Sequence, residues 1–109
     1  MDLALSTTAD GTGPTVVHVG GEIDVYTAPA LRHELDEQIR LGCTDLVVDL
    51  SDVTFMDSTG LGVLVGRLKL IRTQGGRMRI LGARERVFKV FTITGLDRVF
   101  DIVDRLDEV

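Results

Sequence analysis

The sequence predicts a single α/β domain: a mostly parallel sheet that opens with an antiparallel hairpin and carries about three to four helices. Three observations lead there. Leu46-Val47-Val48-Asp49-Leu50 is a nearly unbroken apolar run, of the kind that parallel sheets cover on both faces. On either side of it apolar residues recur at helical spacing, at Leu31, Leu35 and Ile39 and again at Leu61, Leu64, Val65, Leu68 and Ile71. The first residues instead alternate around a glycine- and proline-containing turn, which is hairpin chemistry.

Leu3, Leu5 and Thr7 alternate with smaller or polar residues and predict a short, half-buried strand. Ala9-Asp10-Gly11-Thr12-Gly13-Pro14 supplies the turn, and Thr15-Val16-Val17-His18-Val19 the return strand. His18 falls between valines and is expected to face solvent. Gly20-Gly21 is expected to close that strand. Thr27 is a candidate N-cap for the first helix, with Pro29 in the first turn, where a missing N–H costs nothing. Gly42 supplies its stop. The second helix is expected to end near Gly75-Gly76, with Gly66 letting it approach the sheet closely. Arg77-Met78-Arg79-Ile80-Leu81 alternates basic and apolar residues, which predicts a strand with one exposed face. A third helix spans residues 84–94 through Val87, Phe88, Val90, Phe91 and Ile93, and Gly95 stops it. Residues 99–103 form a last short strand; residues 104–109 are too few to assign, beyond a helical turn. None of these signals orders the strands within the sheet.

At 109 residues and 44% hydrophobic the chain builds one real core, and with aromatics at 5% and no Trp that core is aliphatic. A net charge of −5 and no basic cluster argue against nucleic acid as a partner. No apolar run approaches the roughly 20 residues of a membrane span. Met1-Asp2-Leu3 carries an acid where a signal peptide would be basic, so a cytoplasmic location is expected. Cys43 is alone, and no Cys/His cluster offers a zinc site. His18 and His33 join no Ser/His/Asp or Cys/His catalytic set. The expectation is a binding module that is no enzyme and needs no metal or cofactor.

The central strand meets the second helix at Asp57-Ser58-Thr59-Gly60-Leu61-Gly62. Ser58, directly before the helical pattern, suits an N-cap whose loss to Ala costs about 1 kcal/mol. The same helix end carries unpaired N–H groups and a positive dipole end that tolerate an added phosphate. Gly60 and Gly62 leave little bulk above the serine. These six residues resemble the phosphorylation motif of bacterial anti-sigma factor antagonists, the small stand-alone STAS domains. Gly20-Gly21-Glu22-Ile23-Asp24-Val25-Tyr26-Thr27-Ala28-Pro29 resembles that family's stretch between strand and first helix, and the likeness extends over nearly the whole chain. The resemblance implies that the unphosphorylated chain binds an anti-sigma factor with serine kinase activity and so releases a sigma factor. It implies that phosphorylation on Ser58 ends the complex and that a metal-dependent serine phosphatase reverses it. Ser58 is preferred over Thr59 because the family's acceptor directly follows the Asp. Partner contact is expected at Asp24, Asp57, Thr59, Gly60 and Gly62, although Asp24 also suits a turn and Asp57 a local cap.

Other chemistries fit less well. Gly60-x-Gly62-x-x-x-Gly66 is one residue too long for a dinucleotide fingerprint, and no acid ends the next strand; a P-loop is excluded because no Gly-Lys-Ser/Thr occurs. Asp24, Asp49 and Asp57 all fall near strand ends, and their convergence would resemble a receiver that forms an aspartyl phosphate with magnesium. Against that, the chain opens with a hairpin, no adjacent acid pair follows the first strand, and no Lys follows the last. The remaining alternative is a STAS module that regulates a transporter or a sensor assembly through a separate partner chain.

Overall fold

The computed structural model describes residues 3–9 and 11–106. β1 (Ala4–Thr8) and β2 (Thr15–Ile23) form the predicted hairpin. There follow α1 (Ala28–Arg40), β3 (Asp45–Met56), α2 (Ser58–Thr73), β4 (Arg77–Leu81) and α3 (Glu85–Thr94). A 3₁₀ turn (Leu96–Arg98) leads into β5 (Asp101–Val103). The strands lie in the order β1-β2-β3-β4-β5, antiparallel in the first pair and parallel in the rest. Each helical crossover therefore joins neighbouring strands, and the apolar run of residues 46–50 holds the centre of the sheet. Of the sequence assignments, those for Asp10 and residues 107–109 lie outside the described residues.

The core follows the predicted stripes. Leu31, Leu35 and Ile39 of α1 and Leu61, Leu64, Leu68 and Ile71 of α2 pack on Val17, Val19, Leu46, Val48, Leu50 and Ile80. α3 adds Val87 and Phe91, with the Phe91 ring edge-on to Phe100 at 5.4 Å between centroids. Phe88 and Ile93 are exposed instead, because α3 lies at the margin of the core and buries one narrow stripe.

Both β2 and β3 run further than their apolar patterns suggest. β2 continues through Gly20-Gly21 to Ile23, and the β2–β3 register shifts twice on the way, between His18 and Gly20 and between Gly21 and Glu22. Gly21 sits at φ 107°, which glycine alone adopts without strain. The irregularities turn the strands, so that Leu50, Val53 and Met56, three residues apart, are all buried. A period-two template misses a strand with such bulges.

Three further expectations are corrected. His18 does not simply face solvent: its Nδ1 lies 2.7 Å from Asp49 Oδ2, across the β2–β3 pair. Arg79 is 3% exposed, and its Nη2 bonds both oxygens of Asp45 at 3.2 and 3.3 Å, while Arg77 on the same carboxylate stays in solvent. On the same face, a hollow lined by Thr8, Ala9, Pro14, Val16 and Leu106 brings the segment after β5 near the hairpin. Gly66 does not bring α2 against the sheet, since a Cβ there would meet nothing within 4 Å. The close approach is at Gly60, where a Cβ would overlap Ile23 Cγ2 and sit 2.9 Å from Met56 Cγ. Among the described residues, no helix is long and apolar enough to cross a membrane.

Gly60→Ala should therefore destabilise the domain by about 1–3 kcal/mol, as overpacking does. Gly66→Ala should stabilise it by up to about 1 kcal/mol, through the helix propensity of Ala alone. Denaturant midpoints of the two variants shifting the same way would refute the assigned contact.

Candidate functional site

β2 and β3 end side by side, with Ile23 paired to Met56, and from each the chain turns toward a helix. The Asp57 N–H donates to the Ile23 carbonyl at 3.1 Å and ties the second turn to the first. Asp57 is extended (φ −101°, ψ −174°), so its carboxylate folds over the start of α2. Its Oδ1 accepts from the N–H groups of Thr59 at 2.9 Å and Gly60 at 3.2 Å, and its carbonyl accepts from Leu61 at 3.2 Å. Asp57 is thus the N-cap, and the expectation that Ser58 caps the helix is corrected. Ser58 is the first residue inside α2, because the tie to Ile23 ends the extended backbone one residue earlier than the apolar pattern indicates. Its hydroxyl is exposed and makes no hydrogen bond among the described residues.

The facing loop, residues 24–27, is built in the same way. Asp24 Oδ1 accepts from the N–H groups of Tyr26 at 2.9 Å and Thr27 at 3.0 Å, while its carbonyl accepts from Ala28 at 2.8 Å. The Thr27 backbone bond, chiefly, holds the Asp24 carboxyl below its ordinary pKa, against the opposing pull of desolvation. Thr27 occupies the N-cap position of α1 without capping it. Its hydroxyl points back, donating to the Glu22 carbonyl at 2.8 Å and accepting from the Asp24 N–H at 2.9 Å. Asp24, from the sequence a partner contact or a turn acid, holds the turn.

Of the other expected contact residues, Thr59 and Gly62 are exposed and Gly60 is buried against Ile23 and Met56. At the same end of the sheet, Val25, Tyr26 (87% exposed) and Phe55 leave large apolar side chains in solvent. Val25 and Tyr26 lie in the stretch between strand and first helix that carries the family resemblance, whereas Phe55 was passed over. The available signal was three bulky apolar residues, two inside the block from Gly20 and one just before Asp57, outside any helical stripe. An apolar patch of this kind, rimmed by polar groups, marks a surface built for contact.

The receiver-like alternative required Asp24, Asp49 and Asp57 to converge, and they do not. Asp49 lies one step along β3 from core-facing Val48 and Leu50 and points to the other face. There it accepts from the Ser51 N–H and hydroxyl at 2.9 and 2.7 Å and pairs with His18. Burial pushes its pKa up, but the bonds from Ser51 and His18 outweigh that and hold it below the ordinary value. Among the described residues, no three of His, Cys, Asp and Glu gather as metal ligands.

The sequence pattern of the STAS domain family matches residues 6–109. The anti-sigma-B factor antagonist of Bacillus subtilis is 48% identical over 86 residues, which is 79% of this chain and 78% of that protein. An anti-sigma factor antagonist from Mycobacterium paratuberculosis superposes with a TM-score of 0.84 at 31% identity, covering 96% of this chain and 90% of the other. The anti-sigma factor antagonist SpoIIAA in its unphosphorylated form gives a TM-score of 0.80 at 25% identity, over 95% and 91% of the two chains. SpoIIAA in its phosphorylated form, at 24% identity and a TM-score of 0.73, covers 95% of each chain and shares the fold.

Asp57→Ala should cost about 1 kcal/mol in chemical denaturation and Ser58→Ala less than about 0.5 kcal/mol. Equal costs would return the cap to Ser58. Because the Asp24 pKa is lower folded than unfolded, its contribution is complete above the ordinary aspartate value and declines as pH falls through the lower folded one. The amide signals of Tyr26 and Thr27 should therefore hold until the pH drops below about 4. A transition centred well above that would contradict the geometry.

Proposed function

The chain belongs to the STAS domain family, and we propose that it acts as an anti-sigma factor antagonist switched by phosphorylation of Ser58. In this reading the unphosphorylated form binds an anti-sigma factor that is also a serine kinase, and so frees a sigma factor. The kinase transfers the γ-phosphoryl group of ATP to Ser58 Oγ, the hydroxyl proton leaving to a base of the kinase. A metal-dependent serine phosphatase restores the free hydroxyl. The chain itself acts as substrate and binding module in the cytoplasm, not as an enzyme. The observation that carries the proposal is the unengaged, exposed hydroxyl of Ser58 on a helix end already capped by Asp57. Names support it as well: the Bacillus subtilis relative is an anti-sigma-B factor antagonist, and SpoIIAA occurs in unphosphorylated and phosphorylated forms.

Electrostatics is large enough to run such a switch without refolding. Phosphorylation adds roughly −1.5 to −2 charges at one point. Each partner carboxylate about 5 Å away then costs on the order of 3 kcal/mol at an effective dielectric near 20. About 2.7 kcal/mol is already a hundredfold in affinity. On the modified side the positive end of α2 offsets repulsion from Asp57 by up to about 1 kcal/mol, so the domain stays folded. Partner contact would use Val25, Tyr26 and Phe55 as apolar anchors around Ser58, with Thr59 and Gly62 beside it.

Intact-mass measurement after incubation with ATP and an anti-sigma kinase from the same genome should add one phosphoryl group to wild type and none to Ser58→Ala. Ser58→Ala should still bind the kinase. Ser58→Asp, with one added charge, should bind at least about tenfold more weakly while its melting temperature stays near that of wild type. Phosphate mapped to Thr59, or an unchanged affinity for Ser58→Asp, would sink the proposal.

A further inference from the structure

A hollow of about 320 Å³ opens between α1 and α2, lined by Arg32, Thr59, Gly62, Val63 and Arg67. Thr59, Val63 and Arg67 lie four residues apart on α2 and form one stripe, and helical side chains lean toward the N-terminus, which carries Arg67 toward Thr59. Gly62 leaves the floor open, since a Cβ there would meet nothing within 4 Å. The charges in this hollow do not balance. Arg67 Nη1 is 2.9 Å from Asp36 Oδ1, and Arg32 Nε is 3.6 Å from Asp36 Oδ2, so one carboxylate serves two guanidinium groups. Arg67 is mostly buried, and its Nε is enclosed with no hydrogen-bond partner among the described residues. The hollow thus carries one more guanidinium than carboxylate, in a chain whose net charge is −5. A carboxylate or phosphate oxygen pair is the group that guanidinium forks recognise best.

We infer that the hollow receives an acidic side chain of the protein that docks over Ser58, an inference that rests on the partner-binding reading above. Two features favour a partner's carboxylate. The hollow is continuous with the proposed contact surface, sharing Thr59 and Gly62 with it, and Arg32 stands 63% exposed at its edge, reachable by a docking chain. The consequence is a switch in which attraction and repulsion act on one group. A carboxylate held by Arg32 and Arg67 sits beside the first turn of α2, so a phosphoryl group on Ser58 repels it at the place where the arginines hold it.

The test is the affinity of the unphosphorylated chain for its anti-sigma kinase, measured by calorimetry for wild type, Arg32→Glu and Arg86→Glu. Arg86 is exposed on α3 and makes the same charge change away from the hollow. Arg32→Glu should lose at least about tenfold, with circular dichroism unchanged, and Arg86→Glu should stay within about twofold of wild type. Arg32→Gln should also flatten the fall of affinity with added salt. Wild-type affinity in Arg32→Glu overturns the inference and leaves the switch at Ser58 standing; no binding by wild type to any anti-sigma kinase overturns both. Titration of the free chain with inorganic phosphate separates the other source. Saturable shifts at Thr59, Gly62 and Val63, with kinase affinity indifferent to Arg32→Glu, would assign the hollow to a free anion and overturn the docking role.

Discussion

The placement of Ser58 depends on one close contact, the first turn of α2 against the ends of β2 and β3. Gly60 lets the helix backbone sit directly on Ile23 and Met56, and the Asp57 N–H is fastened to the Ile23 carbonyl. With that contact made, Leu61, Leu64 and Leu68 reach the core and Ser58 is turned outward. The two register shifts between β2 and β3 belong to the same arrangement, because they bring Ile23 and Met56 level where the helix must land. A side chain at position 60 would push the helix away from this corner and, with it, the serine.

Two aspartates then relieve the serine and the loop of backbone duty. A helix start leaves N–H groups without partners, and Asp57 takes two of them. Asp24 takes two more in the facing turn. A serine that capped its own helix would have its oxygen occupied, whereas here the hydroxyl is left over. Each of these two acids, expected from the sequence as a partner contact, holds its turn through Oδ1. Around them the exposed surface offers Val25, Tyr26 and Phe55 on one side and the arginine-lined hollow on the other. An apolar patch with a localised positive charge beside it gives a docking protein both burial and orientation.

The remote face of the sheet follows a different rule. It carries Asp45 with Arg79 and Asp49 with His18, each pair joining residues on neighbouring strands, while Ser51 holds Asp49 from within β3. Removing such charges from water is costly, and pairing offsets the cost while fixing register, because a one-residue slip would separate the partners and flip apolar neighbours outward. The polar pairs therefore add to the specificity of a sheet whose core is otherwise plain aliphatic packing.

The sequence by itself determined the α/β class, the opening hairpin, the helical stripes, the glycine stops and the joint at residues 57–62. Those features depend on composition and period within short windows, where neighbouring residues carry the whole signal. It also marked Ser58 through a resemblance spread over two motifs, Asp57-Ser58-Thr59-Gly60-Leu61-Gly62 and the block from Gly20. Tertiary structure alone decided the strand order, the bulges that prolong β2 and β3, and which glycine is packed. It decided that Arg79 is buried, since its partner Asp45 lies 34 residues earlier, on the neighbouring strand. It decided that Asp57 caps and Ser58 does not, because that depends on a hydrogen bond to Ile23, 34 residues earlier. And it brought Arg32 beside Arg67: each was a surface charge on its own helix until the packing of α1 on α2 enclosed the space between them. Short-range pattern specifies elements, while the groups that meet across them are set by long-range packing that no local window contains.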